Sequence, residues 1–218
     1  MAPTVALAAA PSPTVPGQRG CIPLPSPFPL ERGGWLEGAR VAWELCGDPR
    51  KPLVGVLGGI PADGHACPHA GDPRPGWWPG VVGPGRALDP ARHRILGIDY
   101  LAGSGASSGP DGRLPFPPLT PGDQAAALAA ILHPLGIPPP RAIVGGSYGG
   151  MVALAFASRF PDRLEAAVVL AAAHEPDPLA GAIRAVQRRV VRLGLERGAP
   201  EEGLALARAL AMTTYRSG

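Results

Sequence analysis

Short, nearly unbroken apolar runs that alternate with helical stretches point to an α/β chain with a mostly parallel, doubly wound sheet. The runs 53–57, 94–98, 142–144 and 166–170 have the pattern of parallel strands buried on both faces. Right-handed crossovers through the helices between them set such strands side by side.

The N-terminal segment, 1–23, reads as a disordered tail. It is rich in Ala, Pro, Ser and Thr, and no basic residue precedes its short apolar stretch 5–10, as a secretory signal would require. Arg40 to Leu45 alternates like a strand exposed on one face, and Gly47-Asp48-Pro49 turns the chain. Asp123 to Leu135 is alanine-rich and stops before Gly136; Tyr148 to Arg159 is apolar and stops before Pro161-Asp162. These elements define an α/β core over 24–174. Beyond it, Leu179 to Leu195 and Glu201 to Met212 have helical period with no strand between them, so 175–218 reads as the start of a helical lid. The final strands of the sheet are expected to be missing from the chain.

With 45% hydrophobic residues the chain can bury a core, despite 31 glycines and 30 prolines. The net charge is +3, and every basic residue except Lys51 is a scattered arginine. Nucleic-acid binding needs a concentrated basic patch, and the longest apolar run, 166–173, falls far short of the ~20 residues that span a bilayer. Neither nucleic acid nor membrane is therefore expected as a partner. Cys21, Cys46 and Cys67 cannot all pair, an odd count that favours a reducing, cytoplasmic setting.

The chemistry concentrates in Gly145-Gly146-Ser147-Tyr148-Gly149-Gly150, which follows a strand directly and opens a helix. Glycines two positions either side of the serine permit a strained strand-to-helix turn that lifts the Ser147 hydroxyl above the sheet as a nucleophile. Gly105-Ala106-Ser107-Ser108-Gly109 fits the same pattern, but Pro110-Asp111-Gly112 follows it and no helix begins. Ser107 therefore reads as part of a flexible loop. An acyl-serine intermediate needs two N–H donors for its oxyanion. Tyr148 supplies one, and Ile60, after Leu57-Gly58-Gly59 at the end of the 53–57 strand, is the choice for the other.

No base accompanies the nucleophile. On this kind of fold the order is Ser, then Asp or Glu, then His, and the only histidine after Ser147 is His174, which reads as a polar loop residue. The triad acid and histidine are not identifiable in the chain. His65, Cys67 and His69 form an H-x-C-x-H spacing, but a fourth ligand is lacking nearby, so no metal is assigned. The loop reads instead as a border of the substrate entrance, and Trp77-Trp78 as a packing cluster beneath it.

From about Leu24 to Ser217 the chain resembles the homoserine O-acyltransferases, which have the α/β-hydrolase fold. The resemblance rests on segments in order: Pro25-Ser26-Pro27-Phe28-Pro29-Leu30 with Arg32-Gly33-Gly34, Pro75-Gly76-Trp77-Trp78, and Val82-Gly83-Pro84-Gly85-Arg86-Ala87-Leu88-Asp89. Ser107-Ser108-Gly109-Pro110, the elbow through Met151, Phe160-Pro161-Asp162-Arg163, Gly203-Leu204-Ala205-Leu206-Ala207-Arg208 and Thr214-Tyr215 follow. The resemblance implies transfer of an acetyl or succinyl group from acetyl-CoA or succinyl-CoA to the hydroxyl of L-homoserine, through an acyl-Ser147 intermediate, in methionine biosynthesis. It implies acyl-CoA as co-substrate, no cofactor, a possible homodimer, and Arg208 as the substrate-binding arginine. A guanidinium suits that role because it grips a carboxylate with two hydrogen bonds. Read without the family, Arg208 is a helix-surface arginine. Leu57-Gly58-Gly59-Ile60 departs from the family's His-Ala-Leu-Thr-like loop, which leaves acyl preference open. Alternatives are a serine O-acyltransferase, another esterase of this fold, or a truncated non-catalytic remnant; the 218-residue chain alone is expected to be inactive.

Overall fold

The computed structural model describes residues 15–111, 116–175 and 177–214, and the chain divides into two compact units, Met1–Ala172 and Ala173–Gly218. The first contains β1 (Gly17–Pro23), β2 (Phe28–Pro29), β3 (Trp35–Leu36), β4 (Arg40–Cys46), β5 (Leu53–Leu57), β6 (Arg94–Ile98), α1 (Pro121–Leu132), β7 (Ala142–Gly146), α2 (Tyr148–Arg159) and β8 (Ala166–Leu170). Six strands form one sheet in the order β1-β4-β6-β5-β7-β8, while β2 and β3 make a small separate hairpin. β6, β5, β7 and β8 run parallel; β4 is antiparallel to β6, and β1 to β4.

All five residues of β5 are buried, as a strand covered on both faces must be. Strand alternation divides the core into two layers. Leu53, Leu57, Leu96, Ile98 and Ile143 pack towards α1 and α2. Val54, Val56, Ile95 and Val144 pack instead on Ala66, Cys67 and Val82, with Trp77 and Trp78 at the margin. Winding explains the division. The connection from β5 to β6 runs one way across the sheet and that from β6 to β7 runs back, so right-handed crossovers fall on opposite faces. The β5–β6 connection, 58–93, covers its face without a helix. At one point its main chain lies directly on the sheet: a Cβ at Gly97 would sit 2.1 Å from the Gly64 carbonyl oxygen.

Helix α1 begins earlier than the alanine-rich pattern indicates, because Thr120 and Asp123 form a capping box and Pro121 suits the first turn. It ends at Leu132 rather than Leu135; Gly136 takes a left-handed φ of 61°, and Ile137 N–H returns to Leu132 O. Expectation and structure part at the N-terminus. Within the supposed tail 1–23, residues 17–23 form β1, which pairs along its whole length with β4 from Gly17↔Cys46 to Pro23↔Arg40. Residues 1–14 lie outside the described residues. The cysteines also resolve differently from the odd-count reading: Cys46 and Cys67 form a disulfide and Cys21 is an exposed thiol.

The second unit, expected as the 175–218 lid segment, contains α3 (Pro178–Glu196) and α4 (Pro200–Met212). Asp177 caps α3 by accepting from Ala180 N–H at 3.0 Å. The two helices meet where both lack side chains, since a Cβ on Gly194 would lie 2.8 Å from Gly203 Cα.

Candidate active site

Gly145, at the end of β7, and Gly149, in the first turn of α2, bracket Ser147. A Cβ on Gly145 would lie 2.2 Å from Gly149 O, and one on Gly149 would lie 2.1 Å from Leu57 O. Only glycines let strand, turn and helix approach this closely. Ser147 itself has φ 54° and ψ −119°, a left-handed conformation that costs a non-glycine residue of order 1–3 kcal/mol. Its side chain makes no capping bond, so the hydroxyl stands at the helix N-terminus uncommitted to the backbone. Ser147 N–H donates to Leu170 O at 2.9 Å, and Gly149 N–H to Gly58 O at 2.8 Å, tying the turn to β8 and to the end of β5.

The Gly58-Gly59-Ile60 segment lies against this turn; a Cβ on Gly59 would come 4.0 Å from Ser147 Cβ. Among the described residues, neither the Ile60 nor the Tyr148 backbone N–H donates to a backbone carbonyl, as oxyanion donors require. Trp77 and Trp78, stacked at 5.4 Å, pack on the same glycines: Trp77 lies 3.0 Å from a Gly58 Cβ and Trp78 3.8 Å from a Gly146 Cβ.

One supporting residue escaped the sequence reading. Tyr100 OH donates to Gly58 O at 2.8 Å, giving that carbonyl a second donor besides Gly149 N–H. Its ring meets Tyr148 edge-on at 5.0 Å, and burial pushes both phenols up from their ordinary pKa. The signal in the sequence is slight: an aromatic residue two positions past the end of β6.

Ser107 has a structural task. Its hydroxyl donates to Asp99 O at 2.7 Å and accepts from Ala42 N–H at 2.9 Å, while Ser108 Oγ accepts from Arg40 N–H at 2.9 Å. Both serines stitch the 102–109 loop to β4.

The histidines divide by location. His93 precedes β6 and His133 follows α1, so both belong to the end of the sheet opposite Ser147. His65 and His69 are buried against Glu44, at 2.5 and 3.1 Å. Burial disfavours a charged His65, but the Arg74 carbonyl and Glu44 carboxylate outweigh it and raise the pKa. His174, in the second unit, is exposed beside Glu175 at 3.7 Å. Among the described residues no histidine hydrogen-bonds to Ser147 Oγ. Arg208 lies on α4 in the second unit with its side chain exposed.

Comparison with known proteins fits this geometry. The sequence profile described as "alpha/beta hydrolase fold" matches residues 52–197. A homoserine O-succinyltransferase of Xanthomonas campestris is 45% identical over 190 residues, covering 87% of this chain and 49% of that protein. A serine O-succinyltransferase of Frateuria aurantia is 38% identical over 215 residues, covering 89% and 59%. The crystal structure of a homoserine O-acetyltransferase from Staphylococcus aureus superposes with a TM-score of 0.79 at 27% identity, covering 93% and 60%. The chain thus spans about half to three-fifths of the length of these relatives. With the strained serine turn, its glycine-lined approaches and the mostly parallel sheet, these matches establish that the chain belongs to the α/β-hydrolase-fold family and resembles its homoserine and serine O-acyltransferases.

Proposed function

We propose that the protein is an acyl-CoA-dependent O-acyltransferase that carries a succinyl group to the hydroxyl of L-homoserine through an acyl-serine at Ser147. The strained Ser147 turn, closed on one side by Gly58-Gly59-Ile60, is the observation that carries this reading. Ser147 Oγ attacks the thioester carbonyl, the oxyanion takes N–H bonds from Tyr148 and Ile60, and CoA leaves as its thiol. The acceptor hydroxyl then attacks the acyl-serine by the same route in reverse. Arg208 is assigned to the acceptor's carboxylate on the resemblance, and a fork of N–H groups suits that anion. By the same resemblance the enzyme is a homodimer that takes acyl-CoA as co-substrate. The succinyl donor is chosen over acetyl because the relatives at 45% and 38% identity are both O-succinyltransferases. The second of these acts on serine by name, which makes L-serine the alternative acceptor.

The test mixes protein purified from its source cells with succinyl-CoA and follows intact mass and release of CoA. One succinyl adduct, lost in Ser147→Ala and discharged faster by L-homoserine than by L-serine, is expected. An adduct that survives Ser147→Ala, or no CoA release with either acceptor, overturns the proposal.

A further inference from the structure

One group of buried side chains has no part in the acyl chemistry. Glu44 projects from β4 onto the sheet face covered by the 58–93 connection, and that connection brings His65 and His69 over it. All three are buried, and one donor atom from each lies within 4.8 Å of the other two. Glu44 supplies the further donor that the H-x-C-x-H spacing lacks locally. Cys67, between the histidines, is not a donor because its sulfur is bonded to Cys46.

The protons can be followed atom by atom. His65 Nε2 donates to the Arg74 carbonyl at 2.9 Å, so Nδ1 faces Glu44 Oε1 at 2.5 Å with a proton shared between them. His69 Nδ1 accepts from Gly71 N–H at 3.1 Å, which places its proton on Nε2. That Nε2 is buried and completes no hydrogen bond, although it lies 3.1 Å from Glu44 Oε1. A cavity of about 600 Å³ adjoins the cluster; Asp63, Asp99, Arg19 and Arg74 line it together with Glu44 and His65.

We propose that Glu44, His65 and His69 bind one divalent zinc-like ion, Zn2+ or Co2+, with water from the adjoining cavity as the fourth ligand. Two imidazoles and a carboxylate are a donor set suited to such ions. Ligands ~2.0–2.2 Å from a tetrahedral ion stand about 3.3–3.6 Å apart, so the two Glu44 contacts open by about 1 Å or less, and the two imidazole nitrogens, within 4.8 Å of each other, close by about 1.5 Å at most. His65 keeps its Arg74 bond, the outer contact that orients a ligating imidazole. The ion displaces the proton shared by His65 and Glu44 into solvent. The His69 proton moves from Nε2 to Nδ1, and Gly71 N–H, in a turn, rotates away. Bound there, the ion ties the connection that begins with Gly58-Gly59-Ile60 to the sheet. This inference is independent of the proposed acyl transfer.

The experiment adds Zn2+ or Co2+ alone to the purified protein, removes excess by gel filtration and measures metal per chain. One ion per chain is expected, with about one proton released, read as buffer-dependent heat. Glu44→Gln and His69→Gln should each lower the affinity at least about tenfold, while Cys21→Ser leaves it unchanged. X-ray absorption of the zinc-loaded wild type should show two imidazoles, oxygen donors and no sulfur, a readout that stands even where the buried variants fail to fold. Retention of less than about a tenth of an ion per chain, sulfur ligation, or unaltered binding in folded variants overturns the site.

Discussion

Alanine at Gly149 tests the idea that contact between α2 and β5 builds the nucleophile turn. The added Cβ would meet Leu57 O at 2.1 Å, Leu57 C at 2.4 Å and Gly58 O at 2.7 Å. These are backbone atoms of a buried strand and the turn that follows it, so no rotamer change relieves the overlap. The helix must move off the strand, and the Gly149–Gly58 hydrogen bond of 2.8 Å breaks as it does. Overpacking at the upper end of its range costs about 3 kcal/mol. The lost hydrogen bond adds about 1, and alanine's better helix preference returns about 1. The remaining loss, about 3 kcal/mol, lowers Tm by about 6–12 °C in a chain of this size. The assay is a thermal melt followed by circular dichroism, with acylation of Ser147 by succinyl-CoA read by mass spectrometry. Gly181→Ala, on α3 where a Cβ meets nothing within 4 Å, serves as the comparison and should melt at or slightly above wild type. If Gly149→Ala melts with Gly181→Ala and keeps its acylation rate, close packing is not what shapes the turn.

Three further substitutions follow from the same geometry. Ser147→Gly removes the proposed nucleophile but also relieves the φ of 54°, so acylation should vanish while stability rises by about 1 kcal/mol; an unchanged or lower denaturation midpoint contradicts the strain. Ser107→Ala loses a donor and an acceptor contact, at Asp99 O and Ala42 N–H, and should cost about 1–3 kcal/mol without slowing acylation of the folded protein. Slower acylation at full stability would return Ser107 to the list of reacting groups. Tyr100→Phe leaves Gly58 O with one donor; it should cost about 1 kcal/mol and lower kcat more than it raises KM, whereas a change confined to KM argues against a positioning role.

What could be read from the sequence was whatever local pattern dictates. The runs at 53–57 and 94–98 became strands at those bounds because a strand buried on both faces must be continuously apolar. The elbow was recognisable because its glycines answer a backbone demand within five residues. β1 was not, since Gly17-Gln18-Arg19-Gly20-Cys21-Ile22-Pro23 has no apolar period and is held by its ladder to β4. Nor was the meeting of Glu44 with His65, 21 residues apart in the chain, or the hydrogen bond from Tyr100 to Gly58 across 42 residues. Such contacts depend on how the 58–93 connection crosses the sheet, and nothing in its Gly- and Pro-rich composition encodes that path. The base stayed unassigned in the sequence, and no described histidine reaches Ser147 Oγ.

The unequal covering of the sheet has a consequence for how the protein opens. The face under α1 and α2 is shielded by helices whose amides bond within their own ladders. The opposite face is shielded by 58–93, a helix-free connection held by isolated contacts such as Gly64 N–H to Asp99 at 2.6 Å, and by the Cys46–Cys67 link. Sub-global opening should therefore follow this division: amides of 58–93 exchange with solvent through local fluctuations, while those of α1 and α2 wait for cooperative unfolding. Reducing the disulfide should widen that difference, making one side of the sheet a separately melting layer.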